Sequence, residues 1–153
     1  MSWLSGKQLV DKVRKNADRD TISGFYGVCS IDNLPEFIHT RPFFMIVNTH
    51  TKNLPGEHWI AIIIDTKRNG ELFDSLALPV SNILIGWLNR FTKKWKTNKL
   101  TVQHVLSSTC GVYSVYFILN RLHVKDFETF IALFDKNPHV NESLVLLFYR
   151  SLK

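Results

Sequence analysis

Cysteine is nearly absent: the chain has two, Cys29 and Cys110, in 153 residues. Two thiols cannot form a disulfide scaffold or a cysteine-rich zinc site, so a reducing compartment is expected, no metal is called for, and Cys110 is left available for chemistry. Also missing is any uncharged apolar run near the roughly 18 residues of a membrane span. The opening Met1-Ser2-Trp3-Leu4-Ser5-Gly6-Lys7 holds no secretory apolar core. The expected protein is therefore soluble, intracellular and monomeric, with no membrane association. Repeats, low-complexity tracts and linkers are lacking too, and a 45% hydrophobic content supplies a core, so residues 1–153 read as one domain. Acidic residues are in deficit, 13 against 19 Lys and Arg, which gives a net charge of +6. Such a surplus attracts polyanions without proving that one binds. It is densest at Lys93-Lys94-Trp95-Lys96-Thr97-Asn98-Lys99. Lysines around an aromatic can hold phosphates and stack a base, which makes Lys93, Lys94, Lys96 and Lys99 candidate DNA contacts; a solvated loop or helix end is the alternative.

What is present is organised around one stretch. The polar run Gln103-His104-Val105-Leu106-Ser107-Ser108-Thr109 ends in Cys110-Gly111 and passes directly into the apolar Val112 to Leu119. That pattern places the thiol at the N-terminus of a buried helix, where unpaired backbone N–H groups and the helix dipole favour the nucleophilic thiolate. Gly111, with no Cβ, lets a substrate carbonyl approach the backbone. An inert buried thiol is the competing reading of Cys110.

Along the chain, Ser5 to Gln8 has capping-box spacing, and Leu9, Val10 and Val13 predict a short peripheral helix to about Lys15. Residues 18–35 read as turns and an irregular aromatic-anchored loop. Phe43 to Asn48, Glu57 to Asp65 and Glu71 to Ser75 read as strands, the last two joined by the turn residues 66–70. With that turn centred near Arg68, Asp74 lies opposite residue 62 on the face of His58, about 13 Å away along the strand. Residues 79–91 predict a helix with Pro79 in its first turn, Lys99 to Val105 an extended segment, and 125–134 and 141–152 two more helices. The order implies an α+β domain with a mostly antiparallel central sheet flanked by helices.

His58, Asp74, Gln103 and Cys110 supply the four residue types that thiol acyl transfer needs. Cys110 attacks a carbonyl, His58 takes the thiol proton and returns it to the leaving amine, Asp74 orients the imidazole, and Gln103 donates to the developing oxyanion. Each also has a purely structural reading: a strand-start histidine, a turn aspartate, a solvated glutamine.

The strings His58-Trp59-Ile60-Ala61, Leu72-Phe73-Asp74-Ser75, Gln103 and Cys110-Gly111 resemble the signature of the adenovirus maturation protease (adenain) family, in the clan of ubiquitin-like-modifier cysteine proteases. Ile46-Val47-Asn48-Thr49 and the seven-residue step from Gln103 to Cys110 resemble adenain in particular. The early Phe25-Tyr26-Gly27 and Leu34-Pro35-Glu36-Phe37 resemble it more loosely, and the likeness spans about residues 20 to 120. The resemblance implies an adenain-type fold with the nucleophile at a buried helix N-terminus. It implies a cysteine endopeptidase that cleaves viral capsid or core precursors at Gly-containing sites during virion maturation, in the virion, the host nucleus or the assembly site. Trp59 and Gly111 would line the narrow substrate cleft. DNA and a short viral activating peptide are the implied cofactors, with no metal or organic cofactor. The chain departs from adenain in having no cysteine near Thr92, so a disulfide-tethered peptide is not expected. It also departs in its shorter C-terminal part and in Asp74 where adenain has Glu. An isopeptidase that removes ubiquitin-like modifiers shares the chemistry, and a non-enzymatic polyanion-binding module is the third reading.

Overall fold

The computed structural model describes residues 3–50 and 58–153; Met1, Ser2 and the expected strand start at Glu57 lie outside the described residues. In chain order come α1 (Gly6–Asn16), α2 (Arg19–Gly24), β1 (Phe25–Ser30), β2 (Phe43–Asn48), β3 (Trp59–Ile64), β4 (Asn69–Phe73) and α3 (Asn82–Phe91). They are followed by β5 (Lys94–Thr97), α4 (Cys110–Asn120), a 3₁₀ turn (Arg121–His123), α5 (Phe127–Ala132) and α6 (Pro138–Ser151).

The strands form one sheet in the order β1-β2-β3-β4-β5. β3 pairs antiparallel with β2 and with β4, whereas β1 runs parallel to β2 and β5 parallel to β4. The sheet is therefore mixed, not mostly antiparallel. Each outer strand is joined to its neighbour by a crossover that carries the chain back to the end it started from, so the next strand must run the same way. Residues 31–42 make the first crossover and α3 lies in the second.

Every residue of β2 and β3 is buried, because both faces of the sheet are covered. On one face α3 and the 31–42 crossover pack over Met45, Val47, Ile60, Ile62 and Leu72. On the other, α1 and α4 to α6 pack over Ile46, Trp59, Ala61 and Phe73. The second core is aromatic: Phe73 stacks on Phe117 at 5.0 Å and Phe130 meets Phe117 edge-on at 5.2 Å. Such pairs contribute about 0.5–1.5 kcal/mol beyond burial.

α1 begins at the expected capping box, Ser5 Oγ accepting from the Gln8 N–H and Gln8 Oε1 from the Ser5 N–H. It is not peripheral: Leu9 and Val13 are fully buried and the helix packs against α4. Residues 19–24 are helical and 25–30 form a strand where an irregular loop was expected. The strand escapes pattern recognition because Gly27, at φ +120°, sits where its register shifts against β2. Pro79 precedes α3 without joining it, since Ser81 caps the helix through the Leu84 N–H. The extended segment after Lys99 makes no strand; the lysine-rich Lys94–Thr97 does, at the sheet edge. The last two helices are α5, shorter than the expected 125–134, and α6, which begins at Pro138 behind the cap Asn137.

Candidate active site

The β3–β4 turn decides whether His58 and Asp74 can meet. Asp65 holds it by accepting from the Lys67 and Asn69 N–H groups, and Arg68 takes a positive φ of 68°. The resulting register pairs Ala61 with Phe73 and Ile62 with Leu72. Continued one step, it sets Asp74 opposite residue 60, two residues nearer His58 than the turn chemistry alone suggested. The strand separation drops from about 13 Å to about 7 Å, which two side chains span. His58 Nε2 lies 2.8 Å from Asp74 Oδ1, with both side chains buried. The His58 carbonyl is pinned by the Thr49 N–H at 2.9 Å.

Nε2 being taken, Nδ1 is the ring atom left for Cys110, with which the imidazole also hydrogen-bonds. Burial pushes the ring's pKa down, but hydrogen bonds to Asp74 and Cys110 and their negative charge outweigh it and raise it to about 9. Cys110 is the first residue of α4 and only 1% exposed. The Trp59 backbone N–H points at its sulfur, 3.4 Å away. The N-cap, Thr109, makes no capping bond with its side chain.

Trp59 and Gly111 face inward, not onto an open cleft. The Trp59 indole N–H donates to the Leu4 carbonyl at 3.1 Å, and a Cβ on Gly111 would meet Leu9 at 3.1 Å and the Trp59 ring at 3.3 Å. Both residues therefore seat α4 against the N-terminal segment.

Gln103 is 1% exposed, and its amide is committed. Oε1 accepts from Ser75 Oγ at 2.5 Å, while Nε2 donates to the Ser107 carbonyl at 3.0 Å and to Ser107 Oγ at 3.1 Å. Counting protons gives the rest of the chain a direction. Thr109 Oγ1 has one hydrogen and gives it to the Glu142 carboxylate, at 2.9 and 3.0 Å, so the Ser107 hydroxyl donates to Thr109 at 2.6 Å.

Four further positioning groups were given no role from the sequence. Asn98 accepts from the Asp74 N–H at 2.9 Å and donates to the Asp74 carbonyl at 2.6 Å, fixing that residue's backbone on both sides. Ser75 receives the Val102 and Gln103 N–H groups on its carbonyl and holds the Gln103 amide with its hydroxyl. Asn141 of α6 donates to the Val102 carbonyl at 3.0 Å, and Glu142 anchors Thr109. All are common polar residues whose partners here lie 24 to 39 positions away, so no local spacing marks them.

Lys93, Lys94, Lys96 and Lys99 are all exposed; Lys96 is paired with Glu128 at 2.6 Å. Cys29 packs 3.5 Å from the Met45 sulfur, and burial pushes its thiol up to about 12, which suits a packing role. Among the described residues no group of three or more His, Cys, Asp and Glu could hold a metal ion, and no helix is long and apolar enough to cross a membrane.

No protein-family model matches the chain. It is similar to a cysteine protease of African swine fever virus from a Malawi tick isolate, 30% identical over 102 residues that cover 59% of this chain and 37% of the viral protein. A SUMO-1 cysteine protease of a South African isolate of the same virus is 29% identical over the same shares of each chain. The chain thus spans little more than a third of the length of the curated relatives it matches. The selenomethionine crystal structure of the African swine fever virus protease aligns at 26% identity, over 58% of this chain and 37% of that one, with a TM-score of 0.48. The sequence similarity supports a thiol hydrolase.

Proposed function

We propose that the chain is a cysteine endopeptidase that cleaves precursor polypeptides at Gly-containing sites during virus particle maturation, within the virion or at its assembly site. The observation that carries this reading is the shared imidazole: His58 is bonded through Nε2 to Asp74 at 2.8 Å and also hydrogen-bonds with Cys110 at the head of α4. His58 already holds the proton drawn from Cys110 in the resting pair, and the sulfur attacks the scissile carbonyl. The oxyanion forms beside the first-turn N–H groups of α4, and His58 then protonates the departing amine to leave a thioester. Water, deprotonated by the same ring, hydrolyses the thioester and restores the thiol. Asp74 keeps the ring oriented and offsets its positive charge.

Gln103 joins this sequence as an oxyanion donor once the substrate oxygen replaces the Ser107 carbonyl on Nε2. Glycine on the acyl side suits a sulfur that is 1% exposed, since it brings no Cβ to the point of attack. A short peptide bound without a covalent tether, and DNA, are the proposed activators.

A second reading, an isopeptidase for ubiquitin-like modifiers, is favoured by the naming of one relative as a SUMO-1 cysteine protease. Both predict that Cys110→Ala abolishes cleavage and removes rapid alkylation of the purified chain by iodoacetamide, with the fold kept by circular dichroism. Turnover surviving in Cys110→Ala rejects both readings. A modifier vinyl-sulfone probe labels Cys110 efficiently only under the second.

A further inference from the structure

Cys110 and the far side of the His58 ring belong to opposite faces of the sheet. α4 brings the sulfur over the face that carries Trp59, Ala61 and Phe73. The other face, under α3, holds a cavity of about 80 Å³ that His58 and Asp74 border directly. Its remaining wall is largely aliphatic, formed by Ile60, Leu72, Leu78, Pro79, Val80 and Leu84. Among the described residues, the polar side chains bordering it are already engaged. Asp74 accepts from His58 and from the Leu76 and Leu78 N–H groups, Ser81 Oγ accepts from the Leu84 N–H, and Thr49 Oγ1 donates to the His58 carbonyl. Carbon is therefore the surface on offer.

We propose that this cavity is a subsite for the side chain immediately after the scissile bond, and that it takes an aliphatic chain of valine, isoleucine or leucine size. The inference rests on the thiol-protease reading above. In that chemistry the acyl part of the substrate is bonded to sulfur, while the imidazole delivers its proton to the leaving nitrogen. The residue carrying that nitrogen must lie on the imidazole's side, away from α4, and the cavity is what the substrate meets there. Volume sets the class of side chain: an apolar cavity of about 150 Å³ takes benzene, so one about half that size suits an aliphatic chain and excludes an aromatic ring. Discrimination in apolar pockets runs from about 10- to 200-fold per methylene, so a preference over glycine of about tenfold or more is expected.

The test is digestion of a randomised peptide library by the wild-type chain and by Val80→Trp, which fills the cavity from its half-buried lip. Cut positions are read by mass spectrometry and Cys110 is titrated in parallel with iodoacetamide. Wild type should enrich Val, Ile and Leu over Gly and Asp directly after the cut by about tenfold or more, and Val80→Trp should shift the profile to Gly and Ala. Leu78→Trp, at a position 51% exposed, provides the same readout should the first variant not fold. Cleavage with no preference at that position, or an unchanged preference in a folded tryptophan variant, overturns the subsite and leaves the protease reading standing. No cleavage of any peptide together with an unreactive Cys110 removes both.

Discussion

At the scale of single residues, the charge state of His58 is the property most open to measurement. Its ring titrates at about 9 in the folded chain against 6.5 for the free group. Below about 6.5 the ring is protonated in both states and the bonds to Asp74 and Cys110 contribute fully; as pH rises through about 9 the folded ring loses its proton and that contribution disappears. At 1.36 kcal/mol per unit the effect is on the order of 3 kcal/mol. Urea midpoints of wild type and His58→Gln, measured from pH 6 to pH 10, should therefore converge as the pH rises. A gap that stays constant across this range means that the imidazolium is not the resting form. Gln103 shows the opposite situation, a residue whose proposed role must compete with bonds its amide already makes. Both Nε2 hydrogens go to Ser107, and the relay continues through Thr109 to Glu142. The substrate-free chain thus satisfies a buried amide that would otherwise cost about 1–3 kcal/mol.

At the scale of elements, the site depends on where strands end. β4 stops at Phe73, and the next two residues divide the work: Asp74 serves His58 and Ser75 serves Gln103. Asn98, just beyond β5, prolongs the β4–β5 pairing with side-chain bonds to the Asp74 backbone. Asn98→Ala should cost about 1–3 kcal/mol of stability, as expected when buried backbone groups lose their partner. Its more telling readout is the His58 titration followed by NMR, which should fall from about 9 toward 6.5 as Asp74 loosens. A destabilised variant with an unshifted ring would make Asn98 purely structural. The elements that could be read from sequence were those with local signals: the apolar runs of β2 and β3, the Ser5 capping box and the Cys-Gly entry into α4. β1 could not, because a bulge at Gly27 interrupts its alternation, nor could the direction of β5, which follows from a crossover. The four residues His58, Asp74, Gln103 and Cys110 were legible by type and order. The closeness of His58 and Asp74 was not: a turn centre one residue earlier than expected moves Asp74 two residues along β3, and no local pattern fixes that.

At the scale of the whole molecule, two cores on opposite faces of one sheet meet at its end, where β3 begins and β4 stops, and the site occupies that seam. A substrate laid across it would pass from the α4 face to the α3 face, and the lysine-bearing β5 forms the far edge of the same sheet. Two physical accounts of those lysines compete. A net charge of +6 draws a polyanion toward an exposed basic strand. Lysines on an edge strand also deter pairing with a second sheet, with no ligand involved. Lys96 leans to the second account, since Glu128 already neutralises it at 2.6 Å. Lys93, Lys94 and Lys99 are then the charges that could release counterions from DNA, and a slope of log K against log salt of about −3 is expected if all three engage phosphates, at about −0.9 per contact. Fluorescence anisotropy with a labelled duplex across a salt series measures it, and Lys93, Lys94 and Lys99 changed together to Ser should bring the slope close to zero. Binding with the same slope in the triple variant would place the polyanion on another surface. No binding at low salt would leave the three lysines guarding a sheet edge, with the proposed catalytic groups untouched by the result.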